Sequence, residues 1–455
     1  MYDVVIIGGG PGGYAAGLYA HNFGLSVGLV EKDPTVGGTC LLRGCIPAKH
    51  WLHTADVFTT VREAGTFGVK ASDPVLDWTA ALAKKNELVD GLVRGLTGLL
   101  KARKVDVLTG FGQLDGPGKV LVGGSEQVVE ARNIIVATGS APRTIPGYPL
   151  DGARIVSSDT ALDWAQQPER VAIIGAGAIG CEFASLLVDL GSEVHLFEMM
   201  DQIVPEADAD AAQELSRQLA RRGVTIKTGV TVGAAQIGDV SVVVPFGDES
   251  VEVDVVLVAV GRAPQTKGIG LETTSVVIDR GFIEVDLATM MTAESGVFAV
   301  GDVVAGTPQL AHAGFAEAIA AVTFIATGTP APVDYRAVPL VVYTHPEMAE
   351  VGYTEARARE MSLEVETTSH GFTGVGRAKI IGRNRGMVKL VAQKDGPILG
   401  ASVVGPQAGE MIHELMYAVG WEALPAEAAA FVHAHPTLSE AVGETLLTAA
   451  GRSLH

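Results

Sequence analysis

Residues 2–32 read YDVVIIGGGPGGYAAGLYAHNFGLSVGLVEK, and residues 170–200 read RVAIIGAGAIGCEFASLLVDLGSEVHLFEMM. Each stretch is an apolar strand pattern, a glycine turn, a helix of small and apolar residues, and a second apolar strand reaching a glutamate. The first glycine precedes that glutamate by 23 positions in both, Gly8 to Glu31 and Gly175 to Glu198. Gly8, Gly10 and Gly13 form one GxGxxG; Gly175, Gly177 and Gly180 form the other. Glycine in this pattern lets backbone approach a pyrophosphate, the helix N-terminus offers N–H donors, and the carboxylate takes ribose hydroxyls. A single GxGxxG is equally a glycine turn of any Rossmann-like sheet. Two copies at one spacing predict two bound dinucleotides. At the second, Met199, Met200, Asp201 and Gln202 follow Glu198 and supply no cation for a 2′-phosphate, so NAD is expected over NADP.

The remaining composition sets bounds. The 455 residues suggest two to four domains, and 47% hydrophobic content supplies large cores. A net charge of -19, spread along the chain, argues against nucleic acid and anionic membranes as partners. MYDVVIIGGG lacks a basic leader and is not expected to be a signal peptide. The best apolar run, near 313–327, is interrupted by Glu317, so no membrane span is expected. Three cysteines are too few for a secreted disulfide framework, which makes the cytoplasm the expected location.

Between the two repeats lies an amphipathic helix pattern over roughly 77–103, with Leu88, Leu92, Leu96 and Leu99. A helix at 208–222 and several strands follow the second repeat. From about residue 335, strands such as LVVYT and GMVKLVAQ mix with helix patterns near 408–419 and 423–431, which reads as a separate α+β domain.

Cys40 and Cys45 stand in GGTCLLRGCIPAK, residues 37–49. On a regular helix, residues five apart have Cα atoms roughly 8.5 Å apart, whereas a disulfide needs them within about 7 Å. Gly37, Gly38, Gly44 and Pro47 suit a bent turn, so a strained and readily reduced disulfide is expected. Half of a zinc site, or two buried thiols, are the other readings, although zinc needs two further ligands. Cys181 reads as helix packing. Near the end, HAHPTLSE (433–440) places Glu440 five residues after His435, an imidazole with a carboxylate to orient it. Taken alone, His435 is also a plausible turn histidine before Pro436, and His433 with His435 could be half a metal site.

Taken together and in order, GGGPGG, GGTCxxxGCIPxK, ATGS, GAGAIGxE, AVGRxP, GD, YTHPE, GPxAGE and HAHPTLSE make the chain resemble the flavoprotein disulfide reductases over essentially its whole length. YTHPEMAEVG and HAHPTLSE lean toward the branch that acts on lipoamide. The resemblance implies an α/β chain with two Rossmann-like domains and a C-terminal α+β dimerisation domain. Residues 1–147 would bind FAD and carry the redox disulfide, 148–266 would bind NAD, 267–334 would return to the flavin, and 335–455 would form the interface. Cys45 would face the flavin and Cys40 would exchange with substrate. Lys49 would lie near the flavin ring and pair with Glu182. Thr138 and Gly139 of ATGS, Asp302 after Gly301, and Gly261 of AVGR would contact the cofactors. His435, oriented by Glu440 and supplied by the second subunit of a homodimer, would complete the site. The implied reaction oxidises dihydrolipoamide, free or on a lipoyl domain, and reduces NAD+. The acyltransferase core of a 2-oxoacid dehydrogenase complex is an implied partner, and a mainly docking role within such an assembly is the alternative from another class. A reductase of mycothione, glutathione or a coenzyme A disulfide is the alternative within the enzymes.

The chain departs from the family's usual pattern at Leu42, Arg43, Ala48, His50 and Trp51. Arg43, inside the cysteine loop, is expected either to favour thiolate by its charge or to face solvent.

Overall fold

The computed structural model describes residues 1–123 and 127–454. The chain divides into two compact units. One comprises Met1–His50, Ala80–Arg143 and Arg262–Val333; the other comprises Trp51–Thr79, Thr144–Gly261 and Asp334–His455.

In the first unit, strand β1 (Tyr2–Ile7) leads through the glycine turn into helix α1 (Pro11–Ala20) and strand β2 (Val27–Glu31). β1 lies parallel between β2 and the strand Gln127–Val136, with Ile7 opposite both Val30 and Val136. The strand Val297–Ala299 adds to Gln127–Val136, also parallel. Central parallel strands are covered on both faces, which is why VVII and VGLV read as unbroken apolar runs. α1 buries Gly12, Gly13, Ala16, Gly17 and Ala20, and packs on the helix Ala311–Thr327. Side chains this small let the two helices approach closely.

A short helix, α2 (Gly38–Arg43), and a longer one, α3 (Cys45–Glu63), follow. Then comes the long helix α4 (Trp78–Ala102), within a residue of its expected span at either end. Its leucine stripe is only partly turned inward. Leu96 packs on the core and Leu100 is buried, while Leu88, Leu92 and Leu99 stay exposed. The core is met one position further round the helix than the leucine spacing implied.

In the second unit, the second repeat forms the strand Arg170–Ile174, the helix Ala178–Asp189 and the strand Glu193–Phe197. They belong to a five-stranded parallel sheet with Thr225–Lys227, Val255–Val258 and Ile155–Ser157. The C-terminal part is a five-stranded antiparallel sheet, ordered Leu340–Val342, Glu347–Gly352, Ile398–Gly405, Met387–Gln393, Val365–Gly371. The helices Ala408–Gly420 and Glu440–Ala449 pack on it. The fold is thus α/β with two nucleotide-type sheets, the first mixed with a parallel centre and the second parallel, and a C-terminal α+β part.

A buried ion cluster joins the two parts of this unit. Lys389 Nζ lies 2.9 and 3.0 Å from the Asp208 carboxylate, 2.7 Å from Asp210 Oδ2 and 2.9 Å from Glu355 Oε2. Asp208 also caps the helix Ala209–Arg221 by accepting from Asp210 N. An ammonium that is 3% exposed needs such partners to offset its lost hydration. Among the described residues, no helix is long and apolar enough to cross a membrane.

Candidate functional site

The two glycine turns share one construction. Gly8 has φ +108°, and a Cβ on it would sit 2.3 Å from Ala137 O. A Cβ on Gly13 would sit 1.8 Å from Gly8 O. The corresponding approaches in the second turn are 2.4 Å (Gly175 to Ala259 O) and 1.9 Å (Gly180 to Gly175 O). The fold itself therefore demands the first and last glycine of each motif. The middle ones differ. A Cβ on Gly10 would meet only Gly38 Cα, at 3.7 Å, and one on Gly177 would meet nothing within 4 Å. What glycine preserves there is open room at the helix start. Neither helix N-terminus has a side-chain cap or an acidic residue in its first turn, so both present N–H groups and dipole to an anion.

The two glutamates also match. Glu31 Oε2 accepts from Gly9 N at 2.7 Å and Oε1 from Asp33 N at 2.7 Å. Glu198 Oε2 accepts from Ala176 N at 2.8 Å and Oε1 from Met200 N at 3.0 Å. Each carboxylate is thereby fixed beside its turn while keeping lone pairs for hydroxyl donors. Both cradles fit the pyrophosphate and ribose of a dinucleotide.

The cysteine pair sits where the helix is broken. Gly37 (φ +132°) and Gly44 (φ −144°, ψ −112°) bound α2, and a Cβ on Gly44 would lie 2.8 Å from Thr39 O. The break returns Cys45, first residue of α3, to Cys40. Pro47 is tolerated because the N–H groups of a first helical turn lack intrahelical acceptors. Both cysteines are thiols here, and they share a hydrogen bond. That bond, burial and the charge of Cys45 push the Cys40 thiol up, while the Lys49 ammonium pulls it down. The Cys40 thiol is thus held up by its partner and by burial, with Lys49 acting the other way and favouring thiolate. Cys181 is buried, and burial also pushes its thiol up, so it is an inert packing residue.

The Arg43 guanidinium forms an ion pair with Asp33, two residues beyond Glu31. Tyr14, which the sequence gave no reason to single out beyond its being the lone aromatic in PGGYAAG, lies close to the pair. Burial, then the charges of Cys40 and Cys45, push its phenol up to about 12. Its ring packs on Phe315, with centroids 5.7 Å apart.

A polar chain ties three further motifs together. Arg262 Nε donates to Ser140 Oγ at 2.7 Å, and Arg262 Nη2 donates to Ser140 O at 2.9 Å. Ser140 Oγ donates to Asp302 Oδ2. Arg262 Nη2 also reaches Thr39 Oγ1, beside Cys40, at 3.4 Å. Thr138 Oγ1 donates to Gln265 O at 2.7 Å, and Gly139 takes φ +70°. Gly301 N donates to the fully buried Glu317. The predicted residues Thr138, Gly139 and Asp302 therefore do gather, through Ser140, Arg262 and Gln265, which motif reading passed over. Gly261 takes φ +96° just before Arg262.

In the second unit, Glu182 is buried on the helix Ala178–Asp189, and its Oε1 accepts from Tyr343 N at 3.0 Å. His435 Nδ1 lies 2.7 Å from Glu440 Oε1, and Thr437 N donates to Glu440 Oε2 at 2.8 Å. Burial alone would raise the Glu440 carboxyl. The hydrogen bonds from His435 and Thr437, with the imidazole charges, outweigh it and hold the group below its usual range. The His435 side chain is 77% exposed, near Phe431 and Val432, which are 79% and 96% exposed. His433 pairs with Glu414 at 2.6 Å, and that hydrogen bond raises it.

Comparison with known proteins agrees with this construction. Residues 2–318 match the family model described as pyridine nucleotide-disulphide oxidoreductase, and residues 338–446 match that family's dimerisation domain. The dihydrolipoyl dehydrogenase of Bacillus subtilis is 39% identical, over 100% of this chain and 99% of that protein. Dihydrolipoyl dehydrogenase 3 of Pseudomonas putida is 40% identical, again over 100% and 99%. The crystal structure of LpdA from Mycobacterium tuberculosis superposes with a TM-score of 0.90 at 28% identity, covering 98% of this chain and 99% of that one. Two matched dinucleotide cradles, a cysteine pair at a helix break and full-length likeness lead to one conclusion: the chain belongs to the pyridine nucleotide-disulphide oxidoreductases, with that family's dimerisation domain at its C-terminal end.

Proposed function

We propose that the chain is a dihydrolipoyl dehydrogenase: it oxidises dihydrolipoamide to lipoamide and reduces NAD+, using a Cys40–Cys45 disulfide and FAD. The observation that carries this reading is the hydrogen-bonded thiol pair at the α2–α3 break, under the charge of Lys49. The full-length likeness to dihydrolipoyl dehydrogenases supports the choice of substrate.

In this reading residues 1–147 hold FAD on Gly8, Gly10, Gly13, Glu31, Thr138 and Gly139, aided by Asp302 of the segment 267–334. Residues 148–266 hold NAD on Gly175, Gly177, Gly180 and Glu198, with Gly261 at the rim. Residues 335–455 form the homodimer and deliver His435 to the second subunit. FAD supplies the acceptor for the two electrons of the dithiol, and NAD+ is the final hydride acceptor.

The protein's own groups carry the sulfur chemistry. His435, its Nδ1–H held by Glu440, takes a proton at Nε2 from one substrate thiol. The thiolate attacks Cys40 Sγ of the disulfide, breaks the S–S bond and releases Cys45 as thiolate. The second substrate thiol, deprotonated in turn, attacks the substrate sulfur bound to Cys40. Lipoamide leaves with its S–S bond formed, and Cys40 leaves as the reduced partner. Lys49 stabilises the anionic dithiol. Two electrons and two protons have then moved from substrate to protein and solvent.

The test is an anaerobic assay on the purified yellow protein. NADH-driven reduction of lipoamide should far exceed that of glutathione, mycothione or coenzyme A disulfide. Preference for one of these others would keep the relay and overturn the substrate.

A further inference from the structure

Arg43 ends α2, three residues after Cys40 and one before the Gly44 break. Its guanidinium is paired with the Asp33 carboxylate. The backbone N–H of Asp33 donates to Glu31 Oε1, and Gly9 N of the first glycine turn donates to Glu31 Oε2. Gly37 N donates to Gly9 O at 2.8 Å, closing the same loop from its other end. A continuous polar path therefore runs from the turn at Gly9 through Glu31 and Asp33 to the segment that bears Cys40. Its last link joins two side chains that are 37% and 21% exposed, partly shielded from water.

We infer that Arg43 is a positioning residue: its pair with Asp33 couples occupancy of the dinucleotide cradle at Glu31 to the geometry of the Cys40–Cys45 segment. The inference rests on the reading above that FAD occupies this cradle. A ligand hydroxyl on Glu31 stiffens the Glu31–Asp33 backbone, and Arg43 passes that order to α2. Without the link, α2 keeps Gly37, the Arg262–Thr39 hydrogen bond and its own short helix, and both the cradle and the thiol pair loosen.

The test uses holoenzyme carrying Arg43→Ala, Asp33→Ala, both together, or Arg43→Lys. Two quantities are read: the rate of FAD release, and the ratio of reduced to oxidised dithiothreitol that half-reduces the cysteine pair. A partly shielded ion pair predicts about three- to tenfold faster FAD release in each alanine variant. The half-reduction ratio should shift in the same variants, the double variant should be no worse than either single one, and Arg43→Lys should recover part of both effects. Unchanged release and ratio in Arg43→Ala would overturn the coupling, as would strictly additive effects of the two substitutions. A wild-type protein that binds no flavin would instead overturn the FAD reading itself, so the two failures are distinct.

Discussion

His435 Nδ1 stands 2.7 Å from Glu440 Oε1, with Thr437 N on the other carboxylate oxygen at 2.8 Å. The carboxylate is held from both sides, so it can fix one imidazole nitrogen and leave Nε2 to the substrate. Glu440→Gln keeps the shape but removes the charge that stabilises an imidazolium. Turnover of dihydrolipoamide should fall on the order of 10²-fold, with FAD content unchanged. Steady-state kinetics beside flavin absorbance check this.

Lys49 is the cation that pulls the Cys40 thiol down, against the hydrogen bond shared with Cys45 and the burial that together leave it raised. Lys49→Met removes that charge without shortening the stem. The pair should ionise at higher pH, and alkylation of the reduced protein by iodoacetamide at pH 8 should slow roughly tenfold. Counting labelled Cys40 by mass spectrometry gives the rate directly.

Phe431 and Val432 lie exposed just before His435, and Tyr417 packs on the exposed Trp421 at 5.1 Å. In the dimer account this surface is covered by a second copy. Phe431→Asp with Val432→Asp should shift the protein to monomer on size exclusion. Dihydrolipoamide turnover should then drop at least about 10²-fold, because His435 no longer reaches a cysteine pair.

Burial pushes the Glu350 carboxyl up to about 7, although Ser402 Oγ and Asp208 N donate to it and Lys389 is near. A raised carboxyl binds its proton in the folded state after the unfolded chain has released it. Folding stability from this group is therefore present at low pH and lost as pH rises from the ordinary glutamate value to about 7. The loss is of order 1–3 kcal/mol. Glu350→Gln should flatten the fall in melting temperature between pH 5 and pH 8, which calorimetry at stepped pH measures.

How far the sequence reached depended on how local each feature was. The Gly8–Glu31 and Gly175–Glu198 units lie within single βαβ segments, so spacing alone located them. His435 and Glu440 are five residues apart and were legible for the same reason. Ser140, Arg262 and Asp302 meet across 122 and 162 positions, and no periodicity marks such a meeting. Lys389 occupies an apolar strand, where its burial makes sense only with Asp208, Asp210 and Glu355 beside it. Arg43 was legible as a charge in the cysteine loop, but its partner Asp33 was not. Leu88, Leu92 and Leu99 show the converse: a helical stripe reads as a core face whether a neighbour covers it or not.

The central claim is that Cys40 and Cys45 relay electrons from a dithiol substrate to NAD+. The most direct measurement follows NADH formation from dihydrolipoamide under anaerobic conditions in wild-type protein, Cys40→Ser and Cys45→Ser. The account predicts rapid turnover in wild type and loss of about 10³-fold or more in each serine variant, with flavin retained in all three. Serine variants that still turn over dihydrolipoamide at near wild-type rate would contradict it.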